Sequence, residues 1–154
     1  MSIEDDIAFF QRIPTLGVLE RDALRILAIG SESLYVHSGA VLFHAGEDAD
    51  SAFVLQEGAF RLTTGKATNR EPLVVGPGTL IGELALFTET RRPATATALE
   101  PSTVMRIPRS LFLKMLDGFP SVARKLRDVI ASRIDQATRD LQQVEHALNV
   151  GEPG

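Results

Sequence analysis

The stretch IGELALFTETRRPATATA, residues 81–98, sets a glycine and a carboxylate ahead of two consecutive arginines, in company that is small or apolar apart from Glu89. Gly82 and Glu83 open it, and Arg91 and Arg92 run into Pro93 and Ala94. Just upstream, the glycines of GPG at 76–78 interrupt the apolar run LVV at 73–75. A strand therefore passes through a glycine turn into a short helical turn. Free backbone N–H groups at such a turn suit an anion, because several donors and a dipole point the same way. Glycine lets a ligand approach the backbone closely. Glu83 can accept hydrogen bonds from a diol, and Arg92 can pair with a phosphate group. On spacing alone the more economical reading is a Glu–Arg pair bridging a surface loop, since such pairs are common and weak.

The chain on either side supplies the architecture. Residues 33–82 form a series of short β-branched or aromatic runs, separated by HSGA, HAGEDADS, QEG, TGKATNRE and GPG. Turn signals at this spacing, without intervening helices, predict antiparallel strands in a sandwich or barrel. TATALEPSTVMRIP at 95–108 adds two more around Glu100-Pro101. Upstream, MSIEDDIAFFQRIPTL predicts a short helix with Ser2 as N-cap, Asp5 near its positive end and Pro14 as its stop. LERDALRILAIG at 19–30 predicts a second, amphipathic helix ended by Gly30. Downstream, LFLKMLDGF at 111–119 predicts a short helix, and Pro120 starts a long one through about Leu148. Its apolar positions Ile130, Ile134, Ala137, Leu141, Val144 and Leu148 trace a coiled-coil seam.

The expected fold class is α+β: an antiparallel β-roll or jelly-roll barrel of about eight strands, with helices on both sides. One domain spans 1–154: helices over 1–30, the roll over 33–107, a cassette at 78–98 and C-terminal helices over 109–148. The chain's 154 residues are enough for a sizeable core, and 44% apolar with 23% charged residues is ordinary for a soluble protein. The absence of cysteine excludes disulfides, thiolate metal sites and thiol catalysis. No apolar run approaches the roughly 20 residues a membrane span needs. The acidic start is unlike a signal peptide, so a cytoplasmic protein is expected. A net charge of -4 argues against a general nucleic-acid partner.

SGAVLFHAGEDADSAFVLQEGAFRL at 38–62 and LVVGPGTLIGELALFTETRRPATATA at 73–98 carry a family resemblance. The chain resembles the cyclic-nucleotide-binding domain shared by bacterial catabolite activators, kinase regulatory subunits and nucleotide-gated channels. The first segment is similar to the first half of that family's β-roll, the second to its phosphate-binding cassette. The resemblance implies that the backbone of Gly82 and Ala85 and the side chain of Glu83 hold ribose and phosphate, with Glu83 on the 2'-hydroxyl. It also implies that Arg92 pairs with an exocyclic phosphate oxygen, and it includes Leu84, Pro93 and Ala94 in the binding stretch. Read this way, the carboxylate and the guanidinium meet one bound nucleotide between them. Counted from Pro120, Arg133 matches an arginine near Glu83 and the ligand, and Thr138 matches a hydroxyl residue touching the adenine amino group.

One position departs from the family. Ala, Ser or Thr usually follows the arginine; here Pro93 supplies neither a backbone N–H nor a hydroxyl. One lost hydrogen bond to a charged group is worth roughly 1.5–3 kcal/mol, about 10- to 100-fold in affinity. The missing hydroxyl also favours cyclic AMP over cyclic GMP. The expected ligand is thus cyclic AMP, with cyclic GMP second, and no cofactor.

His37, His44 and His146 lack acidic partners at metal-ligand spacing. Glu47, Asp48 and Asp50 lack the spacing of a calcium loop and read as a solvated turn. Mixed charges on the C-terminal helix describe a solvated face. With no nucleophile–base pair in view, an enzyme is not expected. The chain stops where family transcription factors continue into a helix-turn-helix. It therefore reads as a stand-alone receptor that forms a homodimer through its last helix, its output being a protein partner, a change in assembly or sequestration of the ligand. The alternative is a β-roll scaffold that no longer binds nucleotide.

Overall fold

Ser2 begins the first helix as the sequence predicts. Its hydroxyl accepts from Asp5 N at 3.2 Å, and the Asp5 carboxylate accepts from Ser2 N at 3.4 Å. Such a reciprocal cap is worth about 1 kcal/mol. The computed structural model describes residues 2–64, 72–128 and 131. Helix α1 spans Ile3–Gln11 and closes before Pro14. Pro14 has no N–H to offer the Phe10 carbonyl, which accepts instead from Ile13 N at 3.0 Å. Helix α2, Arg21–Gly30, buries Ala23, Leu24, Leu27 and Ala28 on one face.

Ten strands follow among the described residues. They are β1 (Glu32–Val36), β2 (Val41–Phe43), β3 (Asp48–Ala49), β4 (Ser51–Glu57), β5 (Phe60–Thr64), β6 (Leu73–Val75), β7 (Leu80–Ile81), β8 (Thr90–Arg91), β9 (Ala94–Ala98) and β10 (Ser102–Pro108). Every ladder is antiparallel. The sheets run β1-β10-β4-β7, β2-β9-β5-β6 and β3-β8, an open β-roll and not a closed barrel. The count exceeds the expected eight because β3, β7 and β8 have two residues each, too short to show an alternation. HAGEDADS, expected to be all turn, contains β3, where Asp48 and Ala49 pair with Arg91 and Thr90.

Strand β4 explains how the layers join. All its residues but Glu57 are buried, because alternate side chains enter two different cores. Ala52 and Val54 face the helices, with Ile7, Phe10, Leu24, Leu27 and Phe112. Phe53 and Leu55 face the inside of the roll, with Phe43, Phe60, Ile81, Ala96 and Ala98. Strand β10 divides likewise: Met105 opposite Val54 joins the first core, and Val104 opposite Leu55 joins the second.

Helix α3, Arg109–Asp117, packs on α2 through Phe112 and Met115. A further helix covers 120–128, starting at Pro120 as expected. Its continuation to Leu148 and the seam from Ile130 to Leu148 lie outside the described residues. The α+β class, with helices at both ends of an antiparallel roll, agrees with the sequence reading.

Candidate functional site

The cassette hangs between the two cores. Strand β7 ends at Ile81, and Gly82 takes a left-handed conformation at φ 78°, ψ 34°. A Cβ there would sit 2.5 Å from Nη1 of Arg92, so glycine is required by conformation and by contact. A 3-10 turn then covers Glu83–Leu86, with Ala85 N donating to Gly82 O at 3.1 Å. Leu86 is fully buried in the helix-side core and Ala85 is 1% exposed, which pins the turn, while Leu84 points out at 49%. Arg109, at the start of α3, clamps the turn from behind. Its Nη1 donates to the carbonyls of Ala49 at 2.9 Å, Ala85 at 3.2 Å and Thr88 at 3.0 Å.

Arg92 is the buried member of the arginine pair, at 5% exposure. Its backbone is fixed to the turn after β2: Arg92 N donates to Glu47 O, and Gly46 N donates to Arg92 O, both at 2.8 Å. That places the guanidinium 4.3 Å over the Phe43 ring and 5.4 Å from that of Phe53, inside the roll. Nη2 donates to Ser51 Oγ at 3.4 Å, whereas Nη1 is buried with no partner among the described residues. Burial lowers the Arg92 pKa, Asp50 and Glu47 work against that shift, and Arg106 adds to it. The group remains a cation at neutral pH. Stacking on two rings returns about 0.5–2 kcal/mol. Leaving a charged donor unpaired costs on the order of 1–3 kcal/mol. A ligand anion beside Nη1 would relieve that cost. Arg91 faces solvent with 77% of its side chain exposed and stands 3.8 Å from Asp48, an ion pair of little energetic weight.

Glu83 is half-buried and accepts a hydrogen bond from Thr15 Oγ1 at 2.8 Å. Pro93 is exposed, and Ala94 opens β9 opposite Thr64 of β5. Gly82 and Arg92, at opposite ends of the cassette, are thus brought together, and Glu83 and Ala85 follow directly on the same turn. Arg133 and Thr138 lie outside the described residues. The sequence reading missed Phe43, Phe53, Ser51, Thr15 and Arg109. The two phenylalanines resemble any inward residues of a strand, and the other three gain their roles only when distant segments meet. Among the described residues, no group of three or more His, Cys, Asp or Glu is placed to hold a metal ion. No helix there is long and apolar enough to cross a membrane.

Comparison with known proteins shows the family and the fold. The family model for the cyclic nucleotide-binding domain matches residues 33–119. A solved cyclic nucleotide-binding-like protein from Brucella abortus is 34% identical, with a TM-score of 0.66 over 73% of this chain and 98% of its own. The N-terminal domain of a transcriptional regulator from Streptomyces coelicolor A3(2) is 30% identical, with a TM-score of 0.76 over 86% of this chain and 94% of its own. Lysophospholipase nte1 of Aspergillus niger is 32% identical over 126 residues, 80% of this chain. That stretch is 8% of the fungal protein's length.

Proposed function

Because the chain belongs to the cyclic nucleotide-binding domain family, we propose that it is a receptor for a cyclic nucleotide, with cyclic AMP preferred to cyclic GMP. The observation that carries this reading is the unpartnered, buried Nη1 of Arg92 against Gly82. A cation kept dry, with a nitrogen that lacks a partner among the described residues, is suited to a phosphate oxygen, because charge-assisted bonds strengthen away from water. Glu83, on the same turn, accepts from the ribose 2'-hydroxyl, and the backbone of Gly82 and Ala85 lines the approach. The preference for cyclic AMP rests on Pro93, which offers neither a hydroxyl nor an N–H beside the phosphate.

Occupancy is reported through the cassette. A ligand that binds one arrangement of cassette and C-terminal helix better shifts the population towards it. Residues 130–148 pair with a second copy in this scheme, and Arg133 and Thr138 cap the base. The role proposed is binding and regulation; the name of the Aspergillus relative describes a hydrolase, but the shared 8% of its length carries no hydrolytic role over to this chain. Calorimetric titration with cyclic AMP and cyclic GMP tests the reading. Saturable binding is expected, tighter for cyclic AMP. No heat from either ligand, together with no rise in melting temperature, would overturn it in favour of a β-roll scaffold.

A further inference from the structure

Thr15 lies in the link between α1 and α2, 68 residues before Glu83, and is 2% exposed. Its neighbours Ile13 and Leu16 are 2% and 0% exposed and belong to the helix-side core. The link is also fixed by its own backbone. Ile13 N bonds Phe10 O, Gly17 N bonds Ile13 O at 2.6 Å, and Leu19 N bonds Leu16 O. Gly17 completes the turn because a Cβ there would meet Gln11 O at 2.8 Å and Ile13 O at 3.1 Å. The Thr15 hydroxyl is therefore presented by a rigid, apolar-anchored turn and not by a mobile loop. It donates to Oε1 of Glu83 at 2.8 Å, a good length for a hydroxyl–carboxylate bond.

We propose that Thr15 is a positioning residue for ribose recognition, holding the Glu83 carboxylate in the orientation that accepts the 2'-hydroxyl of a cyclic nucleotide. The inference rests on the receptor reading above and deepens it. A glutamate side chain has three rotatable bonds, and ordering it when a ligand arrives costs conformational entropy. A donor already fixed to one carboxylate oxygen removes that cost before binding, which is preorganisation. The advantage reaches only ligands that use the carboxylate. Thr15 is thus expected to set the discrimination between a ribose with its 2'-hydroxyl and one without it, while contributing little to phosphate binding at Arg92.

The test uses the full chain and calorimetric titration with cyclic AMP and 2'-deoxy cyclic AMP. Thr15→Val keeps the buried shape and removes the donor. It should weaken cyclic AMP by about 5- to 10-fold, the range set by the loss of one hydrogen bond. The 2'-deoxy ligand should change by less than about 2-fold, so the ratio of the two affinities narrows. Thr15→Ser, which restores the hydroxyl, should return that ratio to its original value. Thr15→Ala repeats the comparison without the packing demands of valine. Equal weakening of both ligands would assign Thr15 a packing role alone, and an unchanged ratio in Val and Ala would also overturn the proposal. If the unsubstituted protein binds both ligands equally, Glu83 does not read the ribose and the positioning role falls with it. If that protein binds neither, the receptor reading itself falls.

Discussion

The two faces of strand β4 lead into two different interiors. On the helix side, Phe10, Leu24, Leu27, Leu86 and Phe112 are fully buried and pack on one another's elements as one apolar cluster. Inside the roll, Ala96 and Ala98 pack beside Phe43 and Phe53, and a guanidinium lies on the two rings. The first interior is optimised for burial. The second carries a desolvated cation with a nitrogen that has no partner among the described residues, an arrangement that costs stability unless an anion meets it. Under the receptor reading proposed above, the helix-side interior supplies chiefly stability and the roll's interior supplies the phosphate contact. Substitutions in the two interiors should fail in different ways.

The largest effect is expected on the helix side. Leu24→Ala removes a fully buried side chain from α2 and leaves a cavity that the surrounding helices only partly close. Such a change costs about 2–5 kcal/mol, measurable by urea denaturation. Nucleotide affinity of the fraction that remains folded should change little. A loss of affinity in that folded fraction would mean that the interiors are coupled more tightly than the division implies.

Arg92→Met should behave in the opposite way. It replaces a buried, partly satisfied cation with an apolar side chain of similar length, so stability should hold or rise by about 1 kcal/mol. Affinity for cyclic AMP should drop by more than about 100-fold, because the phosphate loses its charge partner. Arg91→Ala, on the exposed neighbour, should leave both quantities close to those of the unsubstituted protein. If the Arg91 change is the damaging one and the Arg92 change is silent, the phosphate contact has been assigned to the wrong arginine.

Gly82→Ala strikes both interiors at once but more gently. Alanine at φ 78° is strained, and its Cβ would displace Nη1 of Arg92. The conformational part costs roughly 1–2 kcal/mol. Affinity should fall about 10-fold as the guanidinium shifts, since one weakened charge-assisted bond is of that size. A melting curve and a titration on the same sample separate the two. Wild-type affinity in this variant would show that Arg92 adjusts without loss.

Much of this was legible in the sequence because it is local. Ser2 and Asp5 cap α1 through neighbouring backbone groups, and β4, β5 and β10 announce themselves by composition and flanking turns. The glycine, carboxylate and arginine of the cassette fall within one short segment, so their types and order allow an anion and a diol, and the family resemblance, not the spacing, favours that over a surface ion pair. The pairs β3–β8 and β4–β7 were not legible, because a two-residue strand has no period and is defined only by its partner. The surroundings of Arg92 were hidden for the same reason. Ser51, Phe43 and Phe53 reach it from strands whose register depends on the folded roll. Thr15 read as one more residue between two helices until the fold brought it to Glu83.

The smallest expected effect comes from Asp50, an exposed carboxylate beside Ser51. Burial raises its pKa, but a hydrogen bond from Ser51 and the Arg106 guanidinium, 3.3 Å away, outweigh it and hold the group below its ordinary value of 3.8. A carboxyl group depressed in the folded state contributes stability above its unfolded pKa, and that contribution is lost as pH falls through the folded one. The side chain is 69% exposed, so the contribution is only a few tenths of a kcal/mol after solvent screening. Asp50 also stabilises the Arg92 cation, and for that reason its negative charge opposes an incoming phosphate. Asp50→Asn should therefore move the two measurable quantities in opposite directions. Stability at neutral pH should fall slightly, and the variant should lose only Asp50's own small share of the decline in stability on acidification. Affinity for cyclic AMP should rise by about 2-fold at low salt, with the gain fading as ionic strength increases. A fall in affinity would mean that Asp50 chiefly orients Ser51 and Arg92 and does not repel the ligand. In that event the acidic edge of the roll belongs with the binding apparatus and not with its surroundings.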